Sequence, residues 1–178
     1  MQINPKLLLL LFFVLSKPAF SQELSANKAS KQYSTTQIWD FICANYALTG
    51  VAKVQVAKTD KGGTLKLAIE TNDPTFIISG TVYVYLADNS IITCSDKGIR
   101  EISGNQIISY YAFSTLEMNK LKKTNIQSLR FNINGNSKKF SSQIGNFTAL
   151  NKKNYFETAN DTSKKSFDTS EEIAAIYK

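Results

Sequence analysis

Residues 75–113, TFIISGTVYVYLADNSIITCSDKGIREISGNQIISYYAF, decide the fold. They form the longest part of the chain that is rich in β-branched and aromatic residues, which favour strands. Turn residues at 88–90, 95–98 and 103–105 divide this stretch into strand-sized pieces. Closely spaced strands joined by such turns predict an antiparallel meander.

The sequence before this stretch adds a hairpin. In residues 51–70, Val54 and Val56 alternate with polar side chains, and a D-K-G-G sequence supplies the turn. The apolar block at 38–48 fits either a helix or a strand, and its aromatic residues favour a strand. Gly80, inside the next strand, predicts a bulge or bend.

The sequence after the meander changes pattern. Ser114 and Glu117 fit a capping box, which predicts a short helix to about residue 123. Residues 126–133 return to strand alternation, and an N-G turn leads to a strand around 138–140. Apolar residues in 146–160 recur at loosely helical spacing and predict a second helix.

These elements predict an α+β fold dominated by β-structure. The sheet is expected to be an antiparallel meander, or a curved sheet or sandwich, with one or two helices in the C-terminal half. We assign residues 1–21 to a signal peptide, 22–37 to a flexible polar leader and 38–160 to a single globular domain. Residues 161–178 are expected to be a flexible polar tail, with up to two helical turns near its end.

The amino terminus indicates export. Lys6 precedes nine apolar residues at 7–15, a run that is too short to span a bilayer. Small residues then precede a cleavage site before Gln22, and no cysteine stands where a lipid anchor would need one. We therefore expect a soluble protein of the periplasm or the exterior, with no transmembrane span in the mature chain.

The absence of histidine excludes several kinds of enzyme. The 178 residues contain no histidine, so Ser-His-Asp and Cys-His nucleophile systems and His-ligated catalytic zinc cannot form. No pair of carboxylates and no Ca²⁺-type spacing of aspartates stands out. The sequence therefore predicts no catalytic, cofactor-binding or metal-binding residue and no cofactor.

The two cysteines, Cys43 and Cys94, allow two interpretations. In an oxidising compartment an even pair is a disulfide candidate, and closing a loop of about 50 residues would stabilise by roughly 4 kcal/mol. Alternatively, both are buried thiols that pack as small apolar groups. The sequence does not decide between them, because it does not show whether the two Cβ atoms face each other.

Basic charge is concentrated late in the chain. The net charge is +7, and residues 118–165 contain ten basic residues but only two acidic ones. This run is a candidate surface for a polyanion, although a solvated lysine-rich face is the preferred interpretation. Nucleic acid is not an expected partner, because lysine dominates over arginine. The lysines concerned are Lys120, Lys122, Lys123, Lys138, Lys139, Lys152 and Lys153.

Four tyrosines, Tyr83, Tyr85, Tyr110 and Tyr111, form a second candidate surface. Tyr83 and Tyr85 lie on one face of a predicted strand, and the aliphatic residues of VYVYL lie on the other. An exposed tyrosine row could stack on sugars or on a protein partner. The preferred alternative is a sheet that is covered on both faces.

Two segments together resemble a group of small exported bacterial proteins. They are TVYVYLADNSIIT and YYAFSTLEMNKLKKTNIQSLRFNI, which combine a strand pair with a D-N-S turn, a short capped helix and an I-x-x-L-R-F strand. The group has no assigned activity, so the resemblance implies export and a β-dominated α+β fold but no site residues.

The sequence favours a non-enzymatic binding or protein-interaction module of the bacterial envelope or exterior. Its partner would be an envelope protein, a glycan or an anionic surface. A histidine-free, hydrolase-like enzyme and a purely structural envelope component remain the alternatives. An enzyme should have a pocket in which polar groups with shifted pKa values converge.

Overall fold

The computed structural model describes residues 33–44, 50–135, 141–154 and 165–178. Within these ranges the chain forms eight strands and two short helices. In chain order they are β1 (Trp39–Ala44), β2 (Val51–Thr59), β3 (Gly62–Glu70), β4 (Ile77–Leu86), β5 (Ile91–Ser103), β6 (Gln106–Ser114), α1 (Thr115–Leu121), β7 (Ile126–Asn134), β8 (Gly145–Leu150) and α2 (Thr169–Ala175).

The strands form one antiparallel sheet that closes on itself. The spatial order is β1-β2-β3-β6-β5-β4-β7-β8, and β8 pairs back onto β1. At this seam Ile42 lies opposite Leu150, and Cys43 lies opposite Ala149. The predicted β-dominated antiparallel architecture is confirmed. The curved sheet that the sequence predicted closes into a barrel.

Apolar side chains line the interior of the barrel. Alternate residues of each strand point inward and supply them. Trp39 and Phe41 of β1 are fully buried and stack with ring centroids 6.3 Å apart. The other buried apolar residues of the eight strands include Val54, Val56, Leu65, Leu67, Ile69, Ile78, Val82, Val84, Leu86, Ile92, Tyr111, Leu129, Phe131, Ile133 and Ala149.

Several local predictions are confirmed. The 51–70 segment is the β2–β3 hairpin, in which Val54 lies opposite Leu67. The Ser114 side chain accepts from the Glu117 backbone N–H, and the Glu117 carboxylate accepts from the Ser114 N–H at 2.6 Å. A register shift between Ser79 and Tyr83 marks the irregularity expected at Gly80. The apolar block after residue 38 forms β1, as its aromatic residues indicated.

The predicted turn at residues 95–98 is not a chain reversal. β5 runs through it as one strand with a register shift between Asp96 and Arg100 opposite β6. The Asp96 carboxylate pairs with the Arg100 guanidinium and accepts from the Gly98 N–H at 2.8 Å. The turn residues therefore form a bulge. The side chains of Asp96 and Arg100 form hydrogen bonds to backbone groups within this bulge.

The predicted helix at 146–160 is wrong for its first part. Residues 145–150 form β8, in which Phe147 and Ala149 are buried and Thr148 between them is half-buried. Phe147 pairs with Phe131 of β7, with ring centroids 6.0 Å apart. The spacing of Phe147 and Leu150 also fits a helix. This segment forms a strand because it pairs with β7 on one side and β1 on the other. Residues 155–160, and the strand expected around 138–140, lie outside the described residues.

The helical turns that the sequence allowed near the end of the chain are present as α2. The expected flexible tail is wrong for residues 165–178, because Ile173 of this helix is completely buried in the core of the barrel. Trp39 Nε1 and Gln37 Nε2 donate to the two carboxylate oxygens of Glu172, at 2.9 and 2.6 Å. The Tyr177 ring lies under two ammonium groups, 4.6 Å from Lys58 Nζ and 4.4 Å from Lys122 Nζ.

The last residues of the expected leader also pack on the barrel. Thr36 is buried, and its backbone N–H donates to Val56 O at 2.9 Å. The Lys58 N–H donates to Ser34 O at 2.9 Å, so the segment before β1 continues alongside β2. Residues 22–32 lie outside the described residues.

Both helices are short. Each contains seven residues, and no helix among the described residues is long and apolar enough to cross a membrane.

Replacing Ile173 by alanine should destabilise the protein by about 3 kcal/mol, because a fully buried isoleucine side chain would be cut to a methyl group. Urea unfolding measures this as a lower midpoint with an unchanged slope. Glu171→Ala, at an exposed position of the same helix, is the matched control and should change the midpoint little. Equal midpoints for the two variants would mean that α2 does not pack on the barrel in solution.

Candidate functional site

A groove on the outer face of the barrel is the candidate site. It crosses β2, β3, β6 and the bulge of β5, and its volume is about 600 Å³. Its lining residues are Tyr33, Ala57, Thr59, Asp60, Lys61, Gly63, Thr64, Lys97, Tyr110, Ala112 and Phe113.

Small residues of neighbouring strands account for the depression. Thr64 lies opposite Ala57 on one side and Ala112 on the other. Gly63 lies next to them in β3. A Cβ atom on Gly63 would collide with the buried side chain of Met118, so α1 packs against β3 at this glycine. The short side chains of Ala57, Thr64 and Ala112 therefore leave the outer surface concave at this point.

The rim carries the chemically active groups. Lys97, from the β5 bulge, places its ammonium group 3.3 Å from Thr64 Oγ1. The β2–β3 turn brings Asp60 and Lys61 to the same groove. Tyr110 donates its hydroxyl to Glu101 Oε2 at 2.9 Å. Burial, together with the Glu101 carboxylate, raises the pKa of Tyr110 to about 12, so this phenol stays protonated and neutral at physiological pH.

This arrangement suits non-covalent recognition of a polar ligand. Tyr33 and Tyr110 offer aromatic surface with polar tips, and Thr59 and Thr64 offer hydroxyl groups. The Lys61 and Lys97 ammonium groups can donate to an anionic or hydroxyl-rich ligand. A second, smaller depression of about 150 Å³ lies beside the Lys53–Asp40 ion pair and carries fewer such groups.

The tyrosine row predicted as a ligand face lies elsewhere on the outer wall. Tyr83 is 39% exposed and Tyr85 is half-buried, whereas Val82 and Val84 point into the core. Tyr83 has Thr93 of β5 and Arg130 of β7 as its cross-strand neighbours. Tyr83 and Tyr85 do not line the groove, whereas Tyr110 does and Tyr111 is fully buried. The tyrosines and the valines of β4 lie on opposite faces, as expected, but the four tyrosines do not form one surface.

Five of the seven predicted lysines lie at one end of the barrel. Lys120, Lys122 and Lys123 belong to α1 or directly follow it, and Lys152 and Lys153 directly follow β8. The Asn151 N–H donates to Gln127 O at 2.9 Å, which brings the two segments together. The other two lysines, Lys138 and Lys139, lie outside the described residues.

Cys43 and Cys94 are buried thiols that are not joined in a disulfide. β1 and β5 are separated by three strands in either direction around the barrel. Strands lie about 4.8 Å apart, whereas a disulfide requires Cα atoms within about 7 Å. The disulfide candidate is therefore wrong, and the two cysteines are buried thiols that pack as small apolar groups. Burial raises the pKa of the Cys43 thiol to about 12 and that of Cys94 still further, so neither thiol is activated as a nucleophile.

The sequence pointed to Tyr110 but not to the rest of the groove, and one structural residue was also missed. Asn151 is buried, and its amide donates to Ile126 O at 2.7 Å and to Phe167 O at 2.9 Å. The Phe167 N–H donates back to Asn151 Oδ1 at 2.8 Å. A single asparagine gives no recognisable sequence signal. Small residues at outward strand positions were the available signal for the groove.

The described residues contain no cluster of three or more potential metal-ligating Cys, Asp and Glu side chains. Comparison with protein-family models, curated proteins and solved structures gives no match to this chain.

Without reductant, the folded protein should react with a thiol reagent only slowly, because both thiols are buried and protonated. After denaturation, also without reductant, both cysteines should be alkylated, as mass spectrometry can show. If the denatured chain takes up no label and weighs two mass units less than the dithiol, the two cysteines form a disulfide after all.

The free energy of unfolding should fall at alkaline pH. The folded-state pKa of Cys43 lies near 12, above the value of about 8.5 for an exposed thiol, so the unfolded state loses its proton first. This contribution is fully present below about pH 8 and should be lost between about pH 9 and 12, at up to about 1.4 kcal/mol per pH unit for each thiol.

Urea unfolding at a series of pH values can measure this slope. Cys43→Ala should have a flatter slope, because one titrating group is removed, whereas the tyrosine contributions are common to both proteins. Identical slopes would contradict a buried, protonated Cys43.

Proposed function

We propose that this chain is a non-enzymatic binding module of the bacterial envelope or exterior, and that it holds its ligand in the outer groove. The observation that carries the proposal is the convergence of Tyr110, Lys97 and Thr64 on one concave surface. A groove of about 600 Å³ lies within the range of roughly 300–1,000 Å³ that is usual for small-molecule sites.

The lining favours an acidic oligosaccharide as the ligand class. Tyrosine rings can stack on the apolar faces of sugar rings while their hydroxyl groups form hydrogen bonds. The ammonium groups of Lys61 and Lys97 can pair with sugar carboxylates, and the threonine hydroxyls can bond ring hydroxyls. An open groove across several strands also suits an elongated ligand better than a compact one.

The titratable groups give no specific support to an acid–base enzyme. Each resolved pKa shift among the described residues moves its group further from neutrality. Burial raises the pKa of Tyr111 to about 12, while hydrogen bonds from Thr75 and Ser90 lower the pKa values of Asp73 and Asp88. A general acid or base works best with a pKa near the working pH. The histidine-free enzyme therefore gains no support from these groups.

The location rests on the sequence. The basic and apolar start of the chain resembles a cleaved export signal, and an acidic glycan is a ligand that an exported module would meet. The purely structural alternative requires no groove, so a specific ligand would argue against it.

An NMR titration of the mature chain, residues 22–178, tests the proposal. The probe is tetragalacturonic acid, and the neutral control is galactotetraose. We expect the acidic probe to shift the amide signals of Gly63, Thr64 and Lys97 in a saturable manner. Lys97→Glu should weaken binding by about tenfold or more, because an attractive charge becomes a repulsive one. Tyr110→Ala should weaken it through lost stacking.

Arg130→Glu is the matched control, since it reverses an exposed charge on the outer face of β7, away from the groove. It should bind like the parent protein. If neither probe shifts the groove amides, or if Arg130→Glu and Lys97→Glu weaken binding equally, the groove is not an acidic-glycan site.

A further inference from the structure

The outer face of α1 carries an unusual combination of residues. Leu116 is 76% exposed, more than any other large apolar residue of the described chain. Lys120 lies four positions later, is exposed and falls on the same side of the helix. Lys123, just after the helix ends at Leu121, is also exposed. An exposed leucine is therefore followed by two exposed lysines.

The packing of α1 fixes the direction of this face. Met118 and Leu121 are buried and turn the opposite side of the helix into the end of the barrel. The capping box at Ser114 fixes the start of the helix. Leu116, Lys120 and Lys123 therefore point away from the core, where they cannot contribute to the packing of the barrel.

More basic charge lies at the same end. Lys152 and Lys153 are exposed and follow β8, close to the start of β7, to which α1 leads. Lys153 also lies over the ring of Phe167, with its ammonium group 5.1 Å from the ring centroid. Asp88 is near enough to Lys120 for the lysine to lower its pKa slightly, but its main hydrogen bonds are to Ser90. We call Leu116, Lys120, Lys123, Lys152 and Lys153 the basic end.

We propose that the basic end docks on the surface of an anionic lipid bilayer, with Leu116 inserted between the headgroups. Lysines near a membrane are attracted by anionic lipid headgroups, and this attraction decreases with salt. An exposed leucine beside them adds apolar area that leaves water only when it enters the interface. A polyanionic glycan would use the lysines but would leave Leu116 in water.

This inference does not depend on the groove ligand. Lys97 and Tyr110 are not part of the basic end, so their variants test the groove alone. Leu116, Lys120 and Lys123 do not line the groove, so their variants test membrane docking alone. The failure of one proposal would leave the other intact.

Vesicle co-sedimentation of the mature chain tests the inference. The vesicles contain phosphatidylcholine alone, or phosphatidylcholine with one-third phosphatidylglycerol. The protein should sediment with the anionic vesicles at low salt and be released at high salt. The double variant Lys120→Glu/Lys123→Glu should bind about tenfold more weakly or worse, because two attractive charges become repulsive.

The matched charge control is Lys53→Glu/Lys66→Glu, which makes the same change on the outer faces of β2 and β3. It should retain more binding than the α1 double variant. Leu116→Ser should also weaken binding, whereas Ile102→Ser, at another strongly exposed apolar position, should not. Circular dichroism spectra should show that all four variants are folded.

A fluorescent variant separates insertion from charge attraction alone. Trp39 is fully buried, so its emission should stay constant when vesicles are added. In Leu116→Trp the new indole should shift its emission to shorter wavelength with anionic vesicles only. The inference is overturned if the protein stays in the supernatant at low salt, or if both double variants lose binding equally. It is also overturned if Leu116→Ser binds normally and Leu116→Trp shows no shift while heparin retains the protein.

Discussion

Barrel closure is the constraint on which the rest of the structure depends. Among the described residues, β1 pairs with β8 through Ile42, Cys43 and Ala44. This seam joins segments that are distant in sequence, so its closure costs chain entropy. The side chains that both strands bury, such as Phe41 and Phe147, and the segments that cover the end of the barrel help to offset this cost.

The C-terminal segment provides that cover. Phe167 stacks on Phe41 of β1, with ring centroids 6.2 Å apart, and exchanges hydrogen bonds with Asn151 at the end of β8. Glu172 reaches β1 from α2 through the indole N–H of Trp39. The same short segment thus holds both strands of the seam. The polar composition of the C-terminal segment did not predict this role. A few individual side chains make the contacts to β1 and β8, and no apolar run marks them in the sequence.

The sequence predicted the features that local patterns determine. Period-two alternation identified the β2–β3 hairpin and the inward residues of β7, and the spacing of Ser114 and Glu117 identified the start of α1. It failed where the outcome depends on partners that are distant in sequence. Phe147 and Leu150 fit a helix as well as a strand until β1 and β7 are known as neighbours. The separation of Cys43 from Cys94 follows from strand order, which no local pattern encodes. The groove was missed for the same reason, because its walls come from strands that meet only in the closed sheet.

Apolar side chains from all eight strands line the interior of the barrel, and both proposed surfaces lie outside it. Helix α1 links both regions. Its inner face presses Met118 against Gly63, which lines the groove, and its outer face carries Leu116 and Lys120. One short helix therefore packs against the strand that lines the groove and also carries part of the basic end.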